Sequence, residues 1–229
     1  MKSIVLIPAY NEEKSIEKTV ADIRENAPGF DYVVINDCSK DGTLKICKSK
    51  GLHVLNLPVN LGIGGAVQTG YLYAYQNGYD YAVQFDGDGQ HDAGYLCKMM
   101  DHMEQNGPDM LIGSRFLEKK GFQSSGIRRF GIRYFSGLIK LLTGTRITDP
   151  TSGMRMVNRD VIRLYADYYP KDYPEPESAV AILNKGKIVE EYPVVMRERA
   201  EGVSSISPAR SIYYMIKVTL SILVEMLRK

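Results

Sequence analysis

Two carboxylates one residue apart, Asp86 and Asp88 in the stretch YAVQFDGDGQHD, are the side chains of this 229-residue chain best spaced for chemistry. An apolar run from Tyr81 to Phe85 leads directly into them. A strand that ends in Asp-Gly-Asp puts hard oxygen ligands at its carboxyl end, the edge of an open α/β sheet where ligands bind. Such a pair suits a divalent cation that bridges to a phosphorylated substrate. The competing reading is a tight turn in which Gly87 and Gly89 supply positive φ and the aspartates satisfy their own backbone. His91 fits either a cation contact or a hydrogen-bonded structural place.

Other polar groups fall at strand ends once the elements are drawn. Ser3 to Pro8 is a continuous apolar, β-branched run, as expected of a strand buried on both faces of a parallel sheet. It ends in Pro8-Ala9-Tyr10-Asn11-Glu12, with Glu12 and Glu13 read as the first turn of a helix to about Asn26. Tyr32 to Asn36 is a second strand ending at Asp37, followed by a turn-rich loop and a short helix through Ile46. His53 to Leu57 is a third strand, and Gly64 to Gln76 a helix. Asp109 to Gly113 is a strand after the Leu96 to Gln105 helix, ending in Ser114-Arg115. Thr148 to Met156 turns on Pro150 and Gly153 into a further strand. Arg159 to Tyr168 and Glu177 to Asn184 read as helices, and Lys187 to Met196 as a late strand. Strand and helix alternate, so the fold class is α/β, a doubly wound, mainly parallel sheet whose site lies where the strand ends gather. An aromatic ring with nearby carboxylates, and two aspartates with a divalent cation, on one edge suit a nucleoside diphosphate.

Composition narrows the function. Charged residues are 24% of the chain, hydrophobic residues 44%, and the net charge is +2. These values are ordinary for a globular domain and give no basis for bulk nucleic-acid binding. Cys38, Cys47 and Cys97 are odd in number and lack CxxC spacing, which fits a reducing compartment and neither a disulfide framework nor a zinc knuckle. Nothing before the first strand resembles a secretory leader. Basic charge is local: Lys119, Lys120, Arg128, Arg129 and Arg133, with Arg115 nearby, lie among glycines and serines. This segment reads as a mobile loop entering a helix from about Arg129 to Leu142, or as a solvated basic face.

The last element is nearly all apolar. From Pro208, a first-turn proline, to Arg228, the residues Arg210, Tyr214, Lys217, Ser221, Glu225 and Arg228 fall on one narrow stripe and leave most of the circumference hydrophobic. No run reaches the roughly 18 to 20 apolar residues of a spanning helix. The expected division is a main domain over 1–207 and an associating helix over 208–229. That helix packs into its own core, lies in a bilayer interface, or meets a membrane partner.

PAYNEE, the Asn-Asp pair after the second strand, DGDGQH, GSRF and TDPTSGMR, in this order over nearly the whole chain, resemble the family 2 glycosyltransferases of GT-A fold, which implies a mixed, mainly parallel sheet flanked by helices. Within them the chain is most similar to the dolichol- or polyprenyl-phosphate sugar transferases. The resemblance implies that Pro8, Ala9, Tyr10, Glu12 and Asp37 hold base and ribose of the donor, with Gly87 letting the backbone approach it. It implies that Asp86, Asp88 and Gln90 bind Mg²⁺ or Mn²⁺. Arg115, Arg128 and Arg133 would face donor and acceptor phosphates, and Arg199 would close over the diphosphate. NLGIGG carries Ile63 where the family often has lysine, so no phosphate contact is carried there. Its glycines fit close helix packing.

The implied reaction is an inverting transfer from a UDP- or GDP-sugar to a polyprenyl phosphate, at the cytoplasmic face of a membrane. The implied partners are the donor, the lipid acceptor, the membrane surface and a small membrane protein. Nucleic acid is excluded, and a homo-oligomer is left open. A phosphate acceptor is anionic already and needs no general base. Transfer to a sugar hydroxyl, the alternative, does need one, and Glu175 or Glu177 is available, although Tyr173 to Glu177 reads first as a surface turn. A nucleotide-sugar-binding module without turnover is the reading from another class.

Overall fold

β1 (Ser3–Ala9) is buried at every position and forms the spine of the molecule. Its alternate residues face opposite layers, Ile4 and Leu6 toward one core and Val5 and Ile7 toward the other. This is the outcome expected of an uninterrupted apolar strand. The computed structural model describes residues 1–118, 120, 121, 126–197 and 208–228, with backbone alone at 127, 128 and 208–212.

Around β1 the chain alternates α1 (Ile16–Asn26), β2 (Asp31–Asn36), α2 (Thr43–Ser49), β3 (Val54–Asn56), α3 (Gly62–Gln76) and β4 (Tyr81–Gln84). A short 3-10 turn at Ala93–Tyr95 leads into α4 (Leu96–Asn106) and β5 (Met110–Ser114). Then come α5 (Gly126–Thr143), β6 (Arg155–Asn158), α6 (Arg159–Asp167), α7 (Pro174–Asn184), β7 (Val189–Pro193) and α8 (Pro208–Leu227). The seven strands form one sheet in the order β3-β2-β1-β4-β6-β5-β7. Only β6 runs antiparallel to its neighbours β4 and β5. Residues of α1, α2 and α4 pack on one face, and residues of α3, α5, α6, α7 and α8 on the other.

Three elements differ from expectation in ways that shape the site. α1 starts at Ile16, so Glu12 and Glu13 precede it. Asn11 takes a φ of 58°, and the next backbone N–H groups are held by the β2–α2 loop, Glu12 N–H donating to Thr43 Oγ1 and Glu13 N–H to Asp41. α7 starts at Pro174, three residues earlier than Glu177, because proline suits a first helical turn and Pro174 and Pro176 are both buried. Tyr173 to Glu177 is therefore no surface turn. Because β6 is antiparallel, the loop that enters it, and not its exit, reaches the carboxyl edge of the other strands. Gly64 confirms the close packing expected of NLGIGG: a Cβ there would lie 2.1 Å from the carbonyl of Pro170.

Candidate active site

The carboxyl ends of β1, β2 and β4 open into a cleft of about 410 Å³. Pro8, Ala9, Tyr10, Glu12, Asp37 and Gly87 line it together with Asp86 and Asp88. Thus the six described residues assigned to the nucleotide and both aspartates share one hollow. Tyr10 presents a ring that is 42% exposed, a surface on which a base can stack. Asp37 is buried at 3% exposure. Its Oδ1 accepts the Leu61 N–H at 2.7 Å, and its carbonyl accepts Asn60 Nδ2, so it also fixes the loop that closes the cleft's far side. Asn11 and Cys38 flank the opening with left-handed φ of 58° and 54°. Backbone held this way outside glycine is stored strain of the kind found at functional sites.

Asp86 is braced on both carboxylate oxygens. Gln84 Nε2 donates to Oδ1 at 3.4 Å and His91 Nε2 to Oδ2 at 3.2 Å. His91 is 3% exposed and stacks near Phe85 with ring centroids 5.1 Å apart. Its Nδ1 is buried without a hydrogen-bond partner among the described residues. Gly153, from the loop entering β6, lies so close that a Cβ would fall 2.4 Å from Asp86 Oδ2. Asp88 Oδ1 accepts the Gln90 N–H at 3.0 Å, and Gly89 has a φ of 76°. The turn and the carboxylate pair are therefore the same structure. Gly87, against expectation, has no positive φ. Its missing Cβ matters because it would lie 3.2 Å from the Pro8 carbonyl.

The other expected residues sit differently. Gln90 Nε2 points to the Arg197 carbonyl, in the chain leaving β7, at 3.5 Å, while its backbone N–H stays on Asp88. Arg115 is 12% exposed and grips the fully buried Asp149, Nε to Oδ2 and Nη2 to Oδ1, each at 2.7 Å. That grip uses Nε and Nη2 and ties the end of β5 to the loop entering β6. Its GSRF motif and TDPTSGMR are thus one brace: Ser114 Oγ also meets Thr148 Oγ1 at 2.8 Å. Arg133 is exposed on α5 and does not line the cleft. The side chain of Arg128 and the whole of Arg199 lie outside the described residues, as do residues 119 and 122–125 of the basic segment.

Two further residues stand out in the structure, one that the sequence offered only as an available base and one that lay unremarked within a motif. Glu175, at the start of α7, is half-buried and lines the cleft. Burial raises its pKa to about 7, Arg155 opposes the shift, and the charge of Asp86 adds to it. Glu177 is also raised by burial but hydrogen-bonds Ser221 and Tyr168, away from the cleft. Arg155 is fully buried beneath the site. It donates to the carbonyls of Ser152 and Pro150 and to Ser178 Oγ, at 2.8, 2.7 and 3.0 Å. A buried guanidinium held by neutral acceptors is a fixed positive charge under the cleft floor. The motif TDPTSGMR contained it, but burial is not visible in a motif.

Among the described residues, no three His, Cys, Asp or Glu side chains converge as a self-sufficient metal site. Two carboxylates on a cleft still fit Mg²⁺ or Mn²⁺, since such ions take one or two protein carboxylates and complete their shell with phosphate oxygens and water. The bracing of Asp86 through His91 is also what a metal-binding carboxylate requires.

A mainly parallel sheet with this strand order and an Asp-x-Asp pair at its carboxyl edge defines the GT-A class of nucleotide-sugar enzymes. The family model for glycosyl transferase family 2 matches residues 4–165. The chain belongs to that family and is a glycosyltransferase. It is 28% identical to an undecaprenyl-phosphate mannosyltransferase of Micrococcus luteus over 90% of this chain and 88% of that one. Against a UDP-N-acetylglucosamine–dolichyl-phosphate N-acetylglucosaminyltransferase of Methanococcus voltae it is 30% identical over 80% of each. The fold matches glucosyl-3-phosphoglycerate synthase from Mycobacterium tuberculosis in complex with Mn²⁺, UDP and phosphoglyceric acid. The TM-score is 0.72 at 17% identity, covering 98% of this chain and 78% of that one.

Proposed function

We propose that the protein transfers a sugar from a nucleotide-diphosphate sugar to a polyprenyl phosphate in one inverting displacement, at the cytoplasmic face of a membrane. The observation that carries this reading is the single cleft in which Tyr10, Glu12 and Asp37 adjoin Asp86 and Asp88. The acceptor class rests on relatives whose names specify undecaprenyl and dolichyl phosphate. Tyr10 stacks on the base, and Glu12 and Asp37 take sugar hydroxyls. Asp86 and Asp88 hold a divalent cation, which would neutralise charge growing on the leaving diphosphate. The acceptor phosphate attacks C1 of the sugar from the opposite face, a C–O bond forms as the bond to the diphosphate breaks, and nucleoside diphosphate leaves. Asp88→Ala should keep the fold and lower Mn²⁺- or Mg²⁺-dependent transfer by on the order of 10²–10³-fold. Transfer of radiolabelled sugar into an acid-labile lipid product measures this, and full activity in the variant would sink the assignment.

Glu175 favours a second reading, transfer to a saccharide or glycolipid hydroxyl with Glu175 as general base. A carboxyl of pKa about 7 in the cleft has the basicity for it. The two readings part at Glu175→Gln. A hydroxyl acceptor predicts a loss of about 10²–10⁴-fold in kcat, and a wild-type rate that falls as pH drops below about 7 because the base is then protonated. A phosphate acceptor predicts that most activity survives.

A further inference from the structure

α8 turns its polar stripe to the protein and its apolar face outward. At about 100° per residue, Tyr213, Ile216, Leu220, Leu223, Val224 and Leu227 share an arc of about 100°, and all six are exposed. The polar positions are engaged on the inner side: Lys217 pairs with Asp172, Ser221 hydrogen-bonds Glu177, and Glu225 is 5% exposed beside Arg228. Val218 and Ile222 complete the buried face. Monomeric soluble proteins rarely leave such a stripe uncovered. No helix among the described residues is long and apolar enough to cross a membrane.

α5 continues this surface. Arg129, Arg133 and Lys140 form one exposed strip along it, and Phe130, Tyr134 and Leu141 an exposed apolar strip beside it. The segment from Gly126 to Thr143 contains no acidic residue. The hydroxyl of Tyr134 meets Thr219 Oγ1 of α8 at 3.2 Å, which joins the apolar strips of the two helices.

We infer that α5 and α8 together form a docking surface for an anionic bilayer. The apolar stripe of α8 lies among the acyl chains, and the basic strip of α5 sits at the level of the lipid phosphates. An apolar band beside a purely basic one matches acidic headgroups over hydrocarbon. A two-fold contact between copies would instead bring equivalent basic strips into one interface. The inference deepens the proposed function, since a lipid acceptor must be reached at a bilayer, but the packing of α8 stands apart from the identity of the acceptor.

Substituting exposed side chains is the better test, because deleting α8 would uncover the core around Val218 and Ile222. Full-length protein is sedimented with phosphatidylcholine vesicles, with and without phosphatidylglycerol, in the absence of donor and acceptor. Wild type should bind the phosphatidylglycerol vesicles, and less as salt rises. Arg129→Glu with Lys140→Glu should weaken this binding by about tenfold or more, and Ile216→Ser with Leu220→Ser and Val224→Ser should abolish it. Both variants should keep the wild-type melting temperature. Absence of binding, binding indifferent to both sets of substitutions, or a lipid-free dimer broken by the serine variant would each overturn the inference, the last by assigning the face to a second copy. Transfer to a short, water-soluble polyprenyl phosphate is measured separately. Vesicle binding without that transfer removes the acceptor reading and leaves the surface intact.

Discussion

At the scale of single residues, the site depends on how Asp86 is held more than on its being present. His91 and Gln84 occupy one edge of its carboxylate each, at 3.2 and 3.4 Å, which fixes the orientation of the oxygens left to a cation. Outer partners of this kind commonly change metal affinity by about 10–100-fold when removed. His91→Ala should therefore weaken Mn²⁺ binding in the presence of a nucleoside diphosphate by about that factor, as read by the paramagnetic signal of unbound Mn²⁺. An unchanged affinity would mean that His91 serves packing against Phe85 alone. Glu175 belongs to the same scale. Its folded pKa of about 7 lies above the ordinary 4.5, so its contribution to stability is complete below pH 4.5 and is lost as pH rises through about 7. Nothing in PEPES announces this, because the shift comes from burial and from the charge of Asp86, both supplied by distant parts of the chain.

At the scale of elements, the reversed direction of β6 matters most. Its register sets Gln84 of β4 opposite Arg155, so the entering loop delivers Gly153 against Asp86 and Arg155 under the floor. The alternation of strand and helix suggested parallel strands, and no local signal marked β6 as the exception, since its direction is a pairing choice made with β4 and β5. The same loop is tied to the end of β5 by Arg115 and Asp149, the first of which the family resemblance offered as a phosphate contact. Arg115→Ala should leave a buried carboxylate uncompensated and cost about 3–5 kcal/mol in urea unfolding. Were Arg115 chiefly a phosphate ligand, the variant would unfold like wild type and show only a raised KM for the donor.

At the scale of the whole molecule, the sheet collects strand ends distant in sequence into one cleft, and the helices on one face form a base from which α8 presents its outward stripe. A ligand that binds only the native state raises apparent stability, by about 2.7 kcal/mol at a hundred times its Kd. Nucleoside diphosphates with Mn²⁺ should thus raise the melting temperature, the preferred base giving the larger shift, and Asp88→Ala should remove the metal-dependent part. A shift equal with and without Mn²⁺ would speak against a cation between Asp88 and the diphosphate. α8 shows the limit of periodicity at this scale. Its narrow polar stripe was plain in the sequence, but a helical wheel has no inside, and tertiary contacts with Asp172, Glu177 and Asn184 chose which side faces the protein.

What the sequence determined by itself is what depends on local chemistry and order along the chain. An apolar β-branched run makes a buried strand, polar residues after it mark its end, and several such ends in a βα alternation must share one edge. Hence the fold class, the gathering of those strand ends into one cleft and the aspartate pair were all legible. Tertiary structure decided what depends on partners. It gave Arg115 to Asp149, directed Gln90 to the Arg197 carbonyl, turned Glu175 into the cleft and faced the apolar side of α8 outward. The physical reason is that a charge's role is set by its nearest counter-charge and its distance from water, and neither is written in the residues beside it.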